Sequence, residues 1–282
     1  MPVIEARSRQ TYDIDGETTI LLQVAAQNGP SQSIQSETLA VDLTPPGGQS
    51  EAVDVEEYEL PPEGNRMHRF TVGSGRLAID YRVVAKTELA VVDDPQLSHP
   101  IAQLPPETLR YTVPSRYCES DKLADWAAET FGELHPDDSR VMAIANWIYE
   151  QFEYTPGATG PQSSAVDVLD SHAGVCRDYA HLMIATCRAL DIPARYVSGY
   201  VANLEPPDFH ALVEVYVGDG WYLFDPTRLA PRTGLIRIAR GLDAAETAFC
   251  TIVGNADLVE QSVLSWRHDE FDADEPVRVR VQ

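Results

Sequence analysis

The sequence contains very little lysine. Lysine occurs only at positions 86 and 122, although Lys and Arg together number 21 and Asp and Glu number 44, which gives a formal net charge of −23. Nucleic acids and anionic lipid surfaces carry dense negative charge and repel an acidic chain. We therefore expect neither nucleic acid nor membrane as a partner, and we interpret the acidic residues as a solvated surface. A preference for cationic substrates stays open, because net charge alone does not define a substrate.

Long apolar runs and cysteine frameworks are also missing. No stretch approaches the roughly 20 apolar residues of a membrane-spanning helix, and residues 1–9 lack the apolar core of a secretory signal. The four cysteines stand apart at positions 118, 176, 187 and 250, without a C-x-x-C pair. Sparse, unpaired cysteines are typical of a reducing compartment. These absences together predict a cytoplasmic protein.

The first part of the chain has the pattern of an all-β domain. At 282 residues the chain is long enough for about two domains. Apolar and polar residues alternate with a period of two, as in half-buried strands, at 18–25, 38–43, 66–72 and 75–86. Prolines at 105, 106 and 114 mark the passage to the next domain. We predict an N-terminal β-domain over 1–113 and a second domain over 114–282.

The second part mixes helix and strand patterns. Helical periodicity or helix-start signals occur at 121–131, 136–149, 166–170 and from Cys176 to about 190. Strand patterns follow near 195–201, 209–217, 220–224, 234–239 and 247–253. The second part of the chain is therefore expected to combine helices with strands.

Three side chains in this second domain are suited to thiol chemistry. Cys176 follows a glycine and a valine and opens an apolar-periodic stretch, so we expect it at a helix N-terminus, where the dipole favours a thiolate. His210 lies one residue into an alternating strand, 34 residues later, and Asp225 closes the next strand after another 15 residues. A thiolate is a strong nucleophile, a histidine can move its proton, and a carboxylate can orient the histidine. The sequence predicts Cys176, His210 and Asp225 as the catalytic residues.

The segments around these residues resemble the transglutaminase-like superfamily of papain-type thiol enzymes, in particular bacterial members with an N-terminal β-domain. The matching segments are 174–181 (GVCRDYAH), 190–200 (LDIPARYVSGY), 209–211 (FHA) and 224–227 (FDPT), and 114–121 resembles the inter-domain segment of these members. The resemblance implies a nucleophile helix packed on an antiparallel sheet, which is the α+β class, with Cys176, His210 and Asp225 as a triad. Animal transglutaminases carry tryptophan after the nucleophile, where this chain has Arg177.

Other polar residues near Cys176 have competing interpretations. His172 and His181 flank the cysteine, but there is no compact set of four ligands, so we predict no metal site. No D-x-[DN]-x-[DN]-G calcium loop is present, and we predict no cofactor. Asp178, in the first turn of the expected helix, is interpreted as structural or salt-bridged, with substrate contact as the alternative.

An acyl-transfer site also needs donors for the oxyanion. The best candidate is the backbone N–H of Cys176. A side chain from upstream is a second candidate. The aromatic options are Trp147 and Tyr154, each of which is otherwise part of the core or of the cleft wall.

We therefore expect cysteine-dependent hydrolysis or acyl transfer at an amide or isopeptide bond, through a thioester, on a peptide, a protein or a small amide. Hydrolysis is favoured over amine transfer, because of Arg177 and the missing calcium loop. The alternative is a non-catalytic module that binds peptide or protein in the cleft of the same fold.

Overall fold

The computed structural model describes residues 2–88, 90–92, 97–229, 231–268 and 278–281. The strands are β1 (Val3–Ile14), β2 (Thr18–Leu22), β3 (Gln32–Thr44), β4 (Glu51–Ala52), β5 (Glu56–Leu60), β6 (Asn65–Val72), β7 (Gly75–Thr87), β8 (Ala90–Val92), β9 (Glu153–Tyr154), β10 (Ala173–Gly174), β11 (Ala194–Val201), β12 (His210–Val217), β13 (Gly220–Phe224), β14 (Leu235–Gly241), β15 (Cys250–Val253), β16 (Ala256–Arg267) and β17 (Arg278–Val281). The α-helices are α1 (Ala124–Phe131), α2 (Asp138–Gln151), α3 (Ala165–Ser171) and α4 (Cys176–Ala189).

Two antiparallel sheets form the N-terminal β-domain. One has the strand order β16-β1-β7-β3-β4 and the other the order β15-β2-β6-β5. Their inward-facing residues share one core, to which β7 contributes a fully buried alternating row at Leu77, Ile79, Tyr81, Val83 and Ala85. This row follows from the period-two pattern of the sequence, because successive side chains of a strand point to opposite faces.

A six-stranded antiparallel sheet carries the second domain, in the order β14-β11-β12-β13-β17-β8. Helix α4 packs on β11 and β12 and is buried along almost its whole length from Asp178 to Arg188. Because α4 is enclosed by the other helices and the sheet, its first residue is held in a fixed place. The predicted α+β class, with helix α4 packed on an antiparallel sheet, is confirmed.

Strand pairing crosses the division predicted at residue 113. Strands β15 and β16 lie late in the chain but pair with β2 and β1 of the N-terminal sheets. Conversely, β8 lies early in the chain and joins the second-domain sheet through β17. The division into domains 1–113 and 114–282 stays a prediction. Each sheet system contains strands from both sides of residue 113.

The two domains share apolar contacts as well as strands. Tyr200 and Phe209, which flank the loop between β11 and β12, are buried in the N-terminal core together with Ile236 of β14. The Tyr200 hydroxyl lies 3.0 Å from the Ser8 hydroxyl and donates to the Val24 carbonyl at 2.8 Å. The loop that leads into His210 is therefore anchored on the β-domain.

The expected helices are present with small shifts. The first begins at Ala124 rather than at 121, because residues 120–123 form a turn. The others agree with their predicted positions, and Asp137 caps α2 by accepting from the Ser139 N–H at 2.8 Å. Among the described residues, no helix is long and apolar enough to span a membrane.

Candidate active site

Helix α4 begins at Cys176, as predicted, and a carboxylate fixes its first turn. Val175 is the extended N-cap residue, and its N–H donates to Asp178 Oδ2 at 2.9 Å. Gly174 allows this close approach, because a Cβ at that position would lie 2.7 Å from the Asp178 Cβ. The Cys176 thiol is partly exposed at the positive end of the helix dipole. Local sequence therefore places a partly exposed thiol at the start of the helix.

Asp178 also ties a neighbouring loop to the helix. The Thr159 hydroxyl donates to Asp178 Oδ2, and Arg177 donates to Asp178 Oδ1 at 2.9 Å and to the Gly160 carbonyl at 2.7 Å. The Asp178 side chain is fully buried. These are the contacts of a structural, salt-bridged residue. They join loop 155–164 to the start of helix α4.

His210 and Asp225 form a buried pair at the ends of adjacent strands. His210 Nε2 lies 2.9 Å from Asp225 Oδ2, and the two side chains are 1% and 2% exposed. Asp225 Oδ1 accepts from the Thr227 N–H at 2.9 Å and from its hydroxyl at 2.7 Å. One carboxylate oxygen therefore serves the Asp-Pro-Thr turn while the other faces the imidazole. This is the turn in which an Asp side chain binds the backbone two residues further on, and it fixes the orientation of the Asp225 carboxylate.

The pKa values of His210 and Asp225 are both shifted from their ordinary values. Burial alone would lower the pKa of His210, but the Asp225 carboxylate and then the Cys176 thiol raise it to about 10. Burial alone would raise the pKa of Asp225. The charge of His210 and the hydrogen bonds from Thr227 outweigh burial, so the pKa of Asp225 is lowered. At neutral pH the imidazole is therefore protonated and the carboxylate is ionised.

The remaining imidazole nitrogen is the one available to the thiol. The Cys176 thiol is near enough to His210 to contribute to its raised pKa. His210 Nδ1 is buried and has no well-aligned hydrogen bond within the described chain. Catalytic hydrogen bonds are often loose before substrate binds. The structure thus brings the three predicted residues together: His210 Nε2 faces Asp225, and Nδ1 stays without a hydrogen-bond partner among the described residues.

Of the two aromatic candidates for the oxyanion site, Tyr154 lies beside Cys176. Strand β9 pairs Tyr154 with Gly174 in β10, two residues before the cysteine. Burial is the main cause of the raised pKa of Tyr154; the Cys176 thiol also raises it, whereas a hydrogen bond from the Cys176 N–H lowers it. Its hydroxyl therefore stays protonated next to that N–H. Trp147 instead packs among Trp126, Phe131 and Phe152.

The other histidines near the cysteine have structural contacts. His181 is fully buried, stacks on Tyr117 with ring centroids 5.0 Å apart, and accepts at Nε2 from the Ala244 N–H at 3.2 Å. Burial lowers the pKa of His181 to about 4. His172 ends α3 in a left-handed conformation and stacks on Phe152. In the described part of the chain, no three His, Cys, Asp or Glu side chains are grouped as metal ligands.

The structure thus holds a thiol at a helix start near a buried histidine–carboxylate pair, and comparisons with known proteins identify the family. The transglutaminase-like superfamily model matches residues 124–226. A solved structure described as "a Putative Cysteine Protease" from Cytophaga hutchinsonii is 37% identical, with a TM-score of 0.91 over 100% of this chain and 98% of that one. The chain belongs to the transglutaminase-like superfamily.

Curated relatives match over shorter stretches. An uncharacterized protein of Mycobacterium leprae is 34% identical over 122 residues, which is 40% of this chain and 43% of that protein. A protein-glutamine gamma-glutamyltransferase of Pseudomonas aeruginosa is 31% identical over 160 residues, which is 50% of this chain and 23% of that protein. The chain thus spans less than half the length of these curated relatives. The names borne by relatives support an enzyme of this superfamily.

Proposed function

We propose that the protein is a cysteine-dependent hydrolase of amide or isopeptide bonds in peptides or proteins, with Cys176 as nucleophile, His210 as proton carrier and Asp225 as its orienting group. The observation that carries this proposal is the 2.9 Å contact between His210 Nε2 and Asp225 Oδ2, in a buried pair beside a partly exposed thiol. A buried pair of this kind, next to a nucleophile, is the geometry that positions a proton for transfer.

The proposed resting state is a thiolate–imidazolium pair, in which His210 carries the proton and the positive end of helix α4 favours the thiolate. The Cys176 thiolate adds to the carbonyl carbon, and the Cys176 N–H and the Tyr154 hydroxyl donate to the oxyanion. His210 then gives its proton to the leaving nitrogen as the C–N bond breaks and a thioester forms. Water, deprotonated by His210, cleaves the thioester to a carboxylic acid and restores the thiolate–imidazolium pair.

Amine transfer is the second candidate for the same site. The name of the Pseudomonas relative favours it, while the description of the Cytophaga structure, which matches over the whole chain, favours hydrolysis. The two reactions share the thioester and differ only in whether water or an amine resolves it. We favour hydrolysis, on the full-length match and on Arg177 in place of the animal tryptophan.

Thiol activation is tested first, by labelling with iodoacetamide at pH 6. Mass spectrometry measures the labelling rate of each cysteine. Cys250 is the internal reference, because it is also partly exposed but lies in the β-domain. Cys176 should label at least about tenfold faster, since thiolate reacts and thiol does not. Asp225→Asn should reduce the Cys176 rate and leave the Cys250 rate unchanged. Equal rates for both cysteines, insensitive to this variant, would support the non-catalytic binding module instead.

Turnover is tested with p-nitrophenyl acetate, an activated ester that needs little recognition. Intact-mass analysis should detect acetyl-Cys176, and Cys176→Ser should lower p-nitrophenol release at least about 10³-fold, with Cys250→Ser unchanged. A glutamine peptide pool with a labelled primary amine then separates the two reactions. We expect peptide or amide hydrolysis to exceed amine incorporation; Cys176-dependent incorporation without hydrolysis would make the protein a transferase.

A further inference from the structure

Loop 155–164 is tied to the nucleophile segment at two points, one on each side of the cysteine. Before the cysteine, the Gly174 carbonyl accepts from the Thr155 N–H at 2.9 Å. After the cysteine, Arg177 Nη2 donates to the Gly160 carbonyl at 2.7 Å. These two contacts close a ring that consists of main chain and one arginine side chain, and the cysteine is a member of this ring. The first part of the loop is therefore fixed relative to the nucleophile by hydrogen bonds.

Between these two contacts the loop has little to hold it. Residues 156–158 are exposed, and Gly157 has φ +84°, a conformation that favours glycine. Strand β9, which precedes the loop, is only two residues long and pairs only with β10. A short glycine-containing segment has many alternative conformations in solution, so keeping one of them requires contacts at both ends. The contacts at the far end of this arc thus decide whether the loop stays closed.

Arg177 supplies most of the contacts at the far end. Besides the Gly160 carbonyl, Nη2 donates to Asp178 Oδ1 at 2.9 Å, and Nε donates to the same oxygen at 3.2 Å. Asp178 also accepts from the Thr159 hydroxyl, at Oδ2. The guanidinium is planar and its donors have fixed directions, so it holds a carboxylate and a carbonyl in one arrangement. Arg177 is thus a latch that fastens the loop to the first turn of helix α4.

Tyr154 is the residue next to the fastened loop. It directly precedes the loop and pairs with Gly174, and its ring centroid lies 6.0 Å from that of Tyr179. We infer that Arg177 is a positioning residue, whose latch on the loop holds the Tyr154 hydroxyl where it donates to the oxyanion formed at Cys176. In this role Arg177 acts through Tyr154 and not on the reacting atoms themselves. The role rests on the proposed function and deepens it.

The charge of Arg177 offers a different route to the thiol. A cation beside a cysteine favours the thiolate, although here the guanidinium is paired with the fully buried Asp178 carboxylate. Two reactions separate the routes. Iodoacetamide reacts by displacement at a methylene group and forms no oxyanion, so its rate reports on the thiolate. Acetylation by p-nitrophenyl acetate passes through a tetrahedral oxyanion, so its rate also reports on the oxyanion donor.

Both rates at Cys176 are measured at one neutral pH in wild type, Arg177→Gln, Tyr154→Phe and the double variant. Tyr154→Phe should slow acetylation by about 100-fold, as is typical of one oxyanion donor. Arg177→Gln should slow acetylation by about tenfold and labelling by less than about threefold. Acetylation of the double variant should lie within about twofold of Tyr154→Phe alone, because the latch has no further effect once the hydroxyl is absent.

Two further variants sharpen the test. Arg116→Gln is the matched control, because Arg116 donates to Gln162 Oε1 at 2.6 Å and so contacts the same loop outside the ring. Its acetylation rate should stay within about twofold of wild type. Thr159→Val weakens the latch from the loop side and leaves the arginine in place, so it should slow acetylation by about threefold, and only where Tyr154 is present. Thr159→Val carries the test if thermal unfolding shows that Arg177→Gln is not folded.

Several results would overturn the inference. Acetylation about tenfold slower in the double variant than in Tyr154→Phe would mean that Arg177 acts independently of Tyr154. Equal slowing of labelling and acetylation in Arg177→Gln would place its effect on the thiolate. Wild-type acetylation in both Arg177→Gln and Thr159→Val would mean that the latch has no effect.

Two outcomes distinguish the inference from the function on which it rests. Wild-type acetylation in Tyr154→Phe would remove the positioning role of Arg177 but leave Cys176-dependent turnover intact. Failure of the wild-type protein to form acetyl-Cys176 is a separate result, which removes the proposed function and the inference together.

Discussion

Strand β12 carries two buried carboxylate–cation assemblies with different properties. At its start, His210 contacts Asp225 at 2.9 Å. Four residues further on, Glu214 contacts Arg195 at 2.6 Å and Arg237 at 2.9 Å, with no side-chain exposure at Glu214. Both assemblies place an ionised carboxylate in the interior, and both neutralise it. They differ in the kind of cation.

The arginine assembly is closed on itself. Arg195 also contacts Glu63 of the β-domain at 3.2 Å and lies over the Trp221 ring at 3.9 Å. Burial raises the pKa of Glu214, but Arg237 and Arg195 outweigh it and lower the value to about 2. Arginine does not release its proton in a protein. This assembly therefore joins two domains without any capacity for proton transfer.

The histidine assembly keeps that capacity. The imidazolium uses one nitrogen for Asp225 and leaves the other for Cys176, and histidine can release a proton within the accessible pH range. A buried ion pair can take part in proton transfer if its cation can titrate and one of its donors faces a nucleophile. Otherwise the pair is structural.

The largest expected effect breaks the structural assembly. Glu214→Gln leaves two buried arginines with fewer partners, and breaking such a pair typically costs about 3–5 kcal/mol of unfolding free energy. Esterase activity per folded molecule should stay within about twofold, because the site residues are unchanged. Urea unfolding gives the first quantity and p-nitrophenyl acetate turnover the second. Asp80→Asn, which breaks an exposed pair with Arg9, is the control and should leave stability unchanged. Equal stability of the two variants would contradict the comparison.

Local signals in the sequence were sufficient to predict the main site residues. The glycine before the helical pattern placed Cys176 at a helix start, and period-two alternation placed His210 and Asp225 at strand ends. The triad roles themselves stay a prediction until the labelling and turnover tests are made. The family resemblance and the α+β class are shown by the comparisons.

The pairing of strands that lie far apart in the chain could not be predicted from the sequence. Strand β16 pairs with β1 across more than two hundred residues, and most of its side chains are exposed, so it lacks the alternation that reveals a strand. The contact of Asp208 with Gln261 depends on that pairing and could not be predicted from either segment. The place of Tyr154 beside Cys176 likewise depends on the two-residue pairing of β9 and β10.

A smaller effect is expected from a change at Asp178, a structural carboxylate in the same helix turn as Cys176. Asp178→Asn keeps the shape of the side chain but weakens its hydrogen bonds to Val175, Thr159 and Arg177. Loss of charge-assisted hydrogen bonds typically costs about 2 kcal/mol. Because Cys176 begins the same helix turn, acetylation of Cys176 should also slow by about tenfold, and hydrogen exchange in loop 155–164 should quicken.

The matched control for Asp178 is Asp167→Asn. Asp167 occupies the same third position in helix α3, where it accepts from the Ser164 N–H at 2.9 Å, but α3 bears no nucleophile. Both variants should lose stability, and Asp178→Asn alone should slow acetylation. Equal slowing in the two variants would show that the effect is general loosening of the fold.

The smallest expected effect concerns the pH dependence of stability, and it tests whether the thiol and the imidazole share one proton. The raised pKa of His210, about 10, lies above the unfolded value of about 6.5, so its contribution is complete below pH 6.5 and is lost as pH rises through 10. A thiolate–imidazolium pair holds one proton in total, as do a thiol and a neutral imidazole in the unfolded chain. Between about pH 6.5 and 8, wild-type stability should therefore vary little with pH.

Cys176→Ser removes this compensation. Its folded state keeps the His210 proton that the unfolded state has lost, so its unfolding free energy should fall by about 1 kcal/mol per pH unit over the same range. The Glu214 assembly adds no slope there, because its contribution is present above pH 4.5 and is lost only as pH falls towards 2. Urea unfolding of wild type, Cys176→Ser and Cys250→Ser at several pH values measures the slopes. A wild-type slope as steep as that of Cys176→Ser would mean that the thiol keeps its proton beside a charged His210, and the thiolate–imidazolium resting state would have to be abandoned.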